Sequence, residues 1–170
     1  TADQAGQSMA EMRAAFKMTQ PQVIALADQI NYLGNTSPNK ADKIMEVVQR
    51  IGALGEVGGF ASSSIAAMAA SLTSVEPDVA ATGIKNIILA MTKGESATKG
   101  QVEAFEKLKL KSTDVAKNMQ KDAEGTIATV LKAIQKLAKA EQVAVTSSLF
   151  GSDARPVGMQ YSQGLDTLPK

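Results

Sequence analysis

The sequence predicts an all-α fold, for three reasons. Alanine and aliphatic residues, which favour helices, supply most of the 44% of the chain that is apolar. Apolar residues recur three and four positions apart, and no set of alternating strands accompanies them. Residues typical of helix ends separate these segments. We therefore expect a single helical domain over residues 1–170, an array or bundle of about eight to nine short helices with short loops.

The first two helices are indicated by apolar spacing and by a capping sequence between them. The first is expected over residues 7–18. The sequence TQPQ then has the spacing of a capping box, with Thr19 as the cap and Pro21 in the first turn of a second helix that ends near Gly34. The apolar faces are formed by Met9, Met12 and Phe16 in the first helix and by Val23, Ala27 and Ile30 in the second.

Three further helices are expected before residue 92. The third opens at Pro38, within the turn-rich sequence GNTSPNK. The fourth lies in an uncharged, alanine-rich segment, and the fifth follows the sequence SVEP. Their apolar stripes are Ile44, Val47, Val48, Ile51 and Leu54; Ile65, Met68, Ala69 and Leu72; and Ile84, Ile87, Ile88 and Met91.

The second part of the chain begins after the polar segment TKGESATKG, residues 92–100, which is a possible internal boundary. A short helix follows, and KLKLK is interpreted as its end and a turn, because an isolated strand would lack a bonding partner. Ser112 is expected to cap the next helix. Longer helices are expected near residues 124–138 and 140–150. The apolar residues are Val102, Phe105 and Leu108 in the short helix and Ile127, Leu131 and Ile134 in the helix near residues 124–138. Lys132, Lys136 and Lys139 lie on the outer side of that helix, and Gly151 is expected to end the last helix.

The start of the chain suggests a piece of a longer protein. The chain begins TADQAGQSMAEMR, without an initiator methionine or the apolar core of a signal peptide. Residues 152–170 carry proline and glycine and are expected to form a weakly ordered tail.

The composition leaves little room for catalysis. The chain has no histidine and no cysteine, and its 18 basic and 17 acidic residues nearly cancel. Zinc sites built from those ligands and histidine-dependent triads are therefore excluded. The sequence S-x-x-K occurs at Ser37–Lys40 and Ser96–Lys99, but both serines stand at predicted helix starts, and no S-D-N or K-T-G sequence follows. We expect no catalytic, cofactor-binding or metal-binding residue, no small-molecule substrate and no enzymatic activity.

The charged residues and the methionines also favour structural interpretations. Acidic pairs share helix faces with lysines, which is typical of a solvated surface. The lysines within residues 132–139 lack interleaved aromatic residues, so specific nucleic-acid binding is not expected. The methionines suit a pliable binding groove or, more commonly, a helical core. The acidic pairs are Asp42/Glu46 and Glu103/Glu106, which lie beside Lys40, Lys43 and Lys107. The methionines are Met9, Met12, Met18, Met45, Met68 and Met91.

Four glycines are concentrated in the sequence RIGALGEVGGF. Their spacing is neither G-x-G-x-x-G nor a Walker loop, and a helix rather than a strand precedes them. We expect Gly52 and Gly55 to lie on a buried helix face that the alanine-rich helix approaches closely. We also expect Gly58 or Gly59 to form a left-handed helix end and Ser62 or Ser63 to cap the next helix.

The uncharged window of residues 57–75 raises the question of a membrane segment. A spanning helix needs about 20 mainly apolar residues. This window contains two glycines and three consecutive serines, and its strongly apolar residues fall on one face. We therefore interpret it as part of a buried helix, and we expect membrane contact only through other parts of a longer parent chain.

Residues 23–94 contain, in this order, a helix ending in INYL, an Asn/Ser-rich loop, a helix ending in GALG, an alanine-rich helix and a GIKN helix. This order resembles the core region of phage tail tape-measure proteins. Downstream, AFEKLKLKSTDVAKNMQKDAEGTIATVLKAIQKL and SLFGSDA continue the pattern. Lys109 stands where the family turn usually has glycine, and Pro156 interrupts the tail. The resemblance covers most of residues 16–155 and includes no catalytic signature.

The resemblance implies a structural domain of a long, mostly helical protein in the tail tube lumen of a phage or prophage virion, and in the host cytoplasm during assembly. The length of such a protein sets tail length, and the protein leaves with or ahead of the DNA during genome ejection. The implied partners are tail tube proteins, tail assembly chaperones, baseplate or tip proteins, and further copies of the full-length protein. The alternative is a helical binding or membrane-perturbing module of a secreted or toxin-like protein.

Overall fold

The computed structural model describes residues 2–37, 39–52, 54, 62–72 and 75–152, and every regular element in these ranges is helical. The elements are α1 (Ala2–Phe16), α2 (Gln20–Thr36), α3 (Ala41–Ile51), α4 (Ser62–Ser71), α5 (Pro77–Thr92), a 3₁₀ turn (Gly94–Ser96), α6 (Lys99–Lys107), α7 (Ser112–Lys121), α8 (Ala123–Gln135) and α9 (Lys139–Phe150). The predicted all-α array of short helices is confirmed for these ranges. The predictions for Pro38, Gly55, Gly58, Gly59 and residues 153–170 lie outside them.

Helix α1 begins earlier than predicted and also ends earlier. It is anchored by the buried side chains of Met12 and Phe16. It ends at Phe16 because Lys17 adopts a left-handed conformation with φ 52°. The N–H of Met18 then donates to the carbonyl oxygen of Arg13 at 3.0 Å, which closes the helix end.

Helix α2 begins with the predicted capping box and continues past Gly34. The hydroxyl of Thr19 accepts from the N–H of Gln22 at 3.4 Å, and the Gln22 side chain accepts from the N–H of Thr19 at 2.8 Å. A Cβ built on Gly34 would lie 2.5 Å from the backbone nitrogen of Ala41. The close backbone approach that the sequence suggested for Gly52 is therefore found at Gly34.

Helix α3 buries its predicted stripe and ends at Gly52. Gly52 adopts φ +55°, and a Cβ built on it would meet the carbonyl oxygen of Gln49 at 3.6 Å, an ordinary contact within its own helix. The prediction that Gly52 lies on a tightly packed helix face is thus wrong, because the residue ends the helix with a positive φ instead. The stripe residues are Ile44, Val47, Val48 and Ile51, which are buried, and Leu54, which is partly buried.

Helix α5 is central to the hydrophobic core, where it packs against α3, α7 and α9, while α4 packs against α2 and α3. The predicted apolar residues of both helices are buried, namely Ile65, Met68, Ala69 and Leu72, and Ile84, Ile87, Ile88 and Met91. Helix α4 begins at Ser62. The residues directly before Ser62 lie outside the described ranges, so the cap expected at Ser62 or Ser63 stays a prediction.

Helix α6 begins with a second capping box, formed by Thr98 and Gln101, and ends in the KLKLK sequence. There Lys109 adopts φ 60°, and the N–H of Leu110 donates to the carbonyl oxygen of Phe105 at 2.9 Å. This Schellman arrangement confirms the interpretation of KLKLK as a helix end and turn. Lys109 occupies the left-handed position that glycine usually takes.

The last three helices differ slightly from the predicted bounds. Ser112 is the first residue of α7 and no side chain caps that helix, so the predicted Ser112 cap is wrong. Helix α8 is capped by Asp122, whose carboxylate accepts from the N–H of Gly125 at 3.0 Å, and it ends at Gln135, earlier than expected. Gly151, with φ 85°, ends α9 as predicted.

One hydrophobic core includes buried residues from both sides of residues 92–100. Helix α5, which precedes this segment, packs against α7 and α9, which follow it. The assignment of residues 1–170 to one domain, with a boundary in this segment, stays a prediction.

Candidate functional site

The serines of the two S-x-x-K sequences bond to the backbone. Ser37 ends α2, and its hydroxyl donates to the carbonyl oxygen of Asn39 at 3.4 Å. Ser96 lies in the 3₁₀ turn, and its hydroxyl donates to the carbonyl oxygen of Lys93 at 2.8 Å. A nucleophilic serine needs a base within hydrogen-bond reach of its hydroxyl. Both hydroxyls are directed to carbonyl oxygens instead, and neither serine caps a helix start, which corrects that prediction.

The acidic residues of the predicted pairs lie on the surface. Glu46 bonds to Arg50 at 2.7 Å, and Glu103 lies 3.9 Å from Lys99. Both ion pairs span one helical turn and are largely exposed, and such pairs contribute about 0.3–0.5 kcal/mol each. In the part of the chain that the structure describes, acidic side chains form no group of three or more that could hold a metal ion.

Open cavities lie beside α1, between α7 and α8, and where α5 and α6 meet α9, with volumes of about 570, 350 and 360 Å³. These volumes fall within the range of small-molecule sites, but such sites also need convergent polar groups that are free to bond a ligand. The cavity beside α1 is lined mainly by small and basic residues, namely Gly6, Ala10, Ala14, Arg13 and Lys17, together with methionines. The cavity at α9 is lined in part by two amide side chains, those of Asn86 and Gln101.

Gln101 is only 7% exposed and is bonded through both ends of its amide. Its Nε2 donates to the carbonyl oxygen of Leu149 at 3.0 Å. Its Oε1 accepts from the N–H of Thr98 at 3.0 Å and from the ammonium of Lys93 at 3.4 Å. The amide therefore fastens the start of α6 to the end of α9, and its polar atoms are already engaged.

Neutral amide side chains bond the C-terminal carbonyl groups of three helices. The last carbonyl groups of a helix have no partner within the helix, so they need one from outside. Three of these amides join segments between 30 and 64 residues apart, without using charge. Asn39 bonds Ala69 and Leu72 at the end of α4, Gln142 bonds Gln135 and Leu137 at the end of α8, and Asn86 and Gln101 bond Phe150 and Leu149 of α9.

The structure also shows where the lysines and methionines that the sequence singled out lie. Lys132, Lys136 and Lys139 are exposed, as the sequence predicts. Met12, Met68 and Met91 are buried in the core, which confirms the core interpretation for these three methionines. Among the helices described, none combines the length and the apolar character that crossing a membrane requires.

Sequence reasoning missed the amide residues that join the helices. The sequence TKGQ has the same capping-box spacing as TQPQ and could have identified Thr98 and Gln101 as a cap. The bonds that Asn39, Asn86 and Gln101 make to distant carbonyl groups leave no comparable signal, since their partners are backbone atoms that every residue carries.

Comparison with known proteins adds a family to this description. The family described as "Phage-related minor tail protein" matches residues 1–151. A relative named "Probable tape measure protein", from Halomonas phage phiHAP-1, is 32% identical over 156 residues, which make up 91% of this chain and 18% of the relative. The chain therefore spans less than a fifth of the length of this relative. No solved structure matches the chain.

Proposed function

The chain belongs to the family of phage-related minor tail proteins, and from this premise we propose that it is a structural segment of a tail tape-measure protein. The observation that carries the proposal is the 32% identity to a probable tape-measure protein across 91% of this chain. The architecture supports the proposal, since the core packs helices together and the buried Gln101 amide bonds one helix to another. The role is non-enzymatic and concerns tail assembly, tail-length determination and genome ejection.

The proposed location of the full-length protein is the lumen of the virion tail tube, after assembly in the host cytoplasm. Its proposed partners are tail tube proteins, tail assembly chaperones, baseplate or tip proteins and further copies of itself. Large apolar side chains that the described helices expose are the expected contact points for such partners. They include Ile24 and Tyr32 on α2, Val79 and Leu89 on α5, and Val143 on α9.

The test is an in-frame deletion of this segment from the full-length gene, with tail lengths measured by electron microscopy. A helical chain rises 1.5 Å per residue, so 170 residues laid end to end would span about 255 Å. A folded domain of this size is about 40 Å across. We expect tails shortened by an amount between these two values, with the larger value if the segment is extended in the tail.

A helical replacement of equal length serves as the control and is expected to restore the length. Tails of unchanged length after the deletion would contradict a part in length determination. A complete absence of tails would support an assembly role and contradict the length role of this segment.

The absence of enzymatic activity is tested separately on the purified chain. We expect no hydrolase, transferase or nucleotidase turnover. A turnover that Ser37→Ala or Ser96→Ala abolishes would contradict the non-enzymatic role, because both changes leave the helical core untouched.

A further inference from the structure

Helix α7 begins without a side-chain cap. The first N–H groups of a helix have no carbonyl partner within the helix, so they need a partner from outside. A side chain supplies one at α2, α6 and α8, whereas Lys111, directly before α7, supplies none. Within the described part of the chain, the N–H groups of Ser112, Thr113 and Asp114 bond to no other group. Three backbone donors are therefore free at this helix end.

The hydroxyl of Ser112 is a fourth free donor at the same place. Ser112 is only 9% exposed, and its hydroxyl has no hydrogen-bond partner among the described residues. A buried polar group without a partner is rare in proteins, because burial without a hydrogen bond costs free energy. The Cα–Cβ bonds of a helix tilt toward its start, so the hydroxyl of this first helical residue is directed to the side of the free N–H groups.

Positive charge surrounds these donors. The start of a helix carries a partial positive charge, and three exposed lysines precede α7, namely Lys107, Lys109 and Lys111. Lys109 holds φ 60°, so the turn carries a lysine at a position where glycine would be less strained. Two exposed carboxylates also lie within residues 106–114, those of Glu106 and Asp114, and the lysines outnumber them. The region therefore favours an anion that accepts several hydrogen bonds.

We propose that the start of α7 binds a phosphate group, either free phosphate or the phosphate of a small monoester. Its residues are Lys111, Ser112, Thr113 and Asp114, which we call the α7 start. A phosphate monoester carries a charge of about −1.5 to −2 at neutral pH and has three strong acceptor oxygens, which match the free donors. Helix starts are established phosphate sites for the same reason. The proposal departs from the expectation, suggested by the sequence alone, that the chain has no ligand-binding residue.

The start of α9 offers a matched control within the same chain. It also lacks a side-chain cap, and it also has a lysine and, at the third helical position, a carboxylate. It contains no hydroxyl group, since its residues are Ala138, Lys139, Ala140 and Glu141. A response that is confined to α7 therefore reports the serine and the lysine-rich turn rather than helix ends in general.

The first experiment is an NMR titration of the isotope-labelled chain, in which sodium phosphate replaces sodium chloride at constant pH and ionic strength. We expect the amide signals of Ser112 and Thr113 to shift along a saturating curve. The amide signals of Lys139 and Ala140 are expected to shift little and without saturation. A parallel titration with glycerol phosphate separates the two sources, because tighter binding than that of free phosphate would identify a monoester as the better ligand.

Ser112→Ala removes the free hydroxyl without breaking a described hydrogen bond of the protein. We expect it to weaken phosphate binding by about fivefold or more, because a hydrogen bond to a charged group is lost. Its melting temperature in chloride is expected to remain close to that of the natural chain. Ser147→Ala, at a partly buried serine on α9, is the control variant and is expected to leave phosphate binding unchanged.

Charge variants test the electrostatic part of the site. Lys109→Gly keeps the left-handed turn and removes the ammonium, so it is expected to weaken binding by about threefold even though it relieves backbone strain. Lys109→Arg keeps the charge and is expected to keep the affinity. Asp114→Asn removes a repelling carboxylate from the α7 start and is expected to strengthen binding by about threefold.

Three results would overturn the proposal. They are a titration without saturation at Ser112 and Thr113, an equal response at the start of α9, and undiminished phosphate binding by Ser112→Ala. Saturation of the same amide signals by duplex DNA, without competition from free phosphate, would also overturn it in favour of a nucleic-acid contact. These tests use this chain alone, so their failure would leave the proposed tail role unaffected, and a failed tail-length test would leave the phosphate site unaffected.

Discussion

The α2–α3 pair and the α6–α9 pair both begin with a threonine capping box, but different contacts hold each pair together. At α2, Gln22 is exposed and its described hydrogen bonds lie within the box, while the backbones of the two helices meet closely at Gly34. At α6, Gln101 is buried and its amide also bonds the end of α9. The same local sequence signal therefore belongs to an exposed cap in one region and to a buried cross-link in the other.

This difference shows that burial decides how much stability is lost when a hydrogen bond is removed. A hydrogen bond at the surface is exchanged for one with water when its partner is removed, so little stability is lost. A buried carbonyl group that loses its partner has no such replacement and costs about 1–3 kcal/mol. Close backbone packing depends instead on the absence of a side chain, and a single methyl group is enough to disturb it.

The largest effect is expected for Gly34→Ala in the α2–α3 pair. The new Cβ would lie 2.5 Å from the nitrogen and 2.8 Å from the Cα of Ala41, and these backbone atoms can move only if the two helices separate. We expect a loss of about 2–3 kcal/mol in the free energy of unfolding, measured by urea denaturation.

The control for this change is Gly6→Ala, at which a Cβ meets nothing within 4 Å. Alanine favours a helix over glycine by up to about 1 kcal/mol, so the control is expected to stabilise the protein slightly. Equal stability of the two variants would contradict the close approach at Gly34.

The second effect compares the two capping glutamines directly. Gln101→Ala leaves the carbonyl group of Leu149 without its partner and is expected to cost about 2 kcal/mol, whereas Gln22→Ala is expected to cost less than about 1 kcal/mol. Thermal unfolding of both variants measures the difference.

Gln101→Glu separates the two roles of Gln101, because a carboxylate keeps the acceptor of the capping box but cannot donate to Leu149. We expect its loss of stability to approach that of Gln101→Ala. A Gln101→Glu variant as stable as the natural chain would show that the bond to α9 contributes little.

A smaller, stabilising effect is expected at the turn that follows α6. Lys109 holds φ 60°, a conformation that glycine adopts without steric cost and other residues do not. Lys109→Gly is therefore expected to raise the free energy of unfolding by about 0.5–1 kcal/mol, after the greater flexibility of glycine in the unfolded chain is included. Lys107→Gly, at the last residue of α6, is the control and is expected to destabilise the protein, so a rise in both melting temperatures would contradict this explanation.

The smallest effect is expected from salt, in both regions. The described ion pairs, Glu46–Arg50 and Lys99–Glu103, are exposed and lie within single helices. The hydrogen bonds between distant segments use neutral amides, as at Asn39 and Gln101, and the carboxylates of Glu11 and Glu124, which accept from uncharged side chains. Since salt screens exposed charges most, an increase in sodium chloride from about 0.05 to 0.5 M is expected to shift the melting temperature by about 1–2 °C. A shift several times larger would show that charge contributes more to the tertiary structure than these pairs indicate.

The sequence predicted those features that depend on neighbouring residues. The capping box at Thr19, the stripe of α3, the turn at KLKLK and the stop at Gly151 follow from spacing over a few positions, and the structure confirms each. The cap assignment at Ser112 was wrong because a serine is equally able to occupy the first helical turn.

The sequence by itself determined that this protein is helical, which faces of most helices are buried, and that histidine and cysteine chemistry is absent. These properties follow from composition and from periodicity, which act within a few residues. The tertiary structure alone decided that Gly34, rather than Gly52, meets another helix, and that Gln101 closes the end of α9. Both contacts join residues that are separated along the chain, and their partners are backbone atoms, which are the same in every residue and so leave no mark in the sequence.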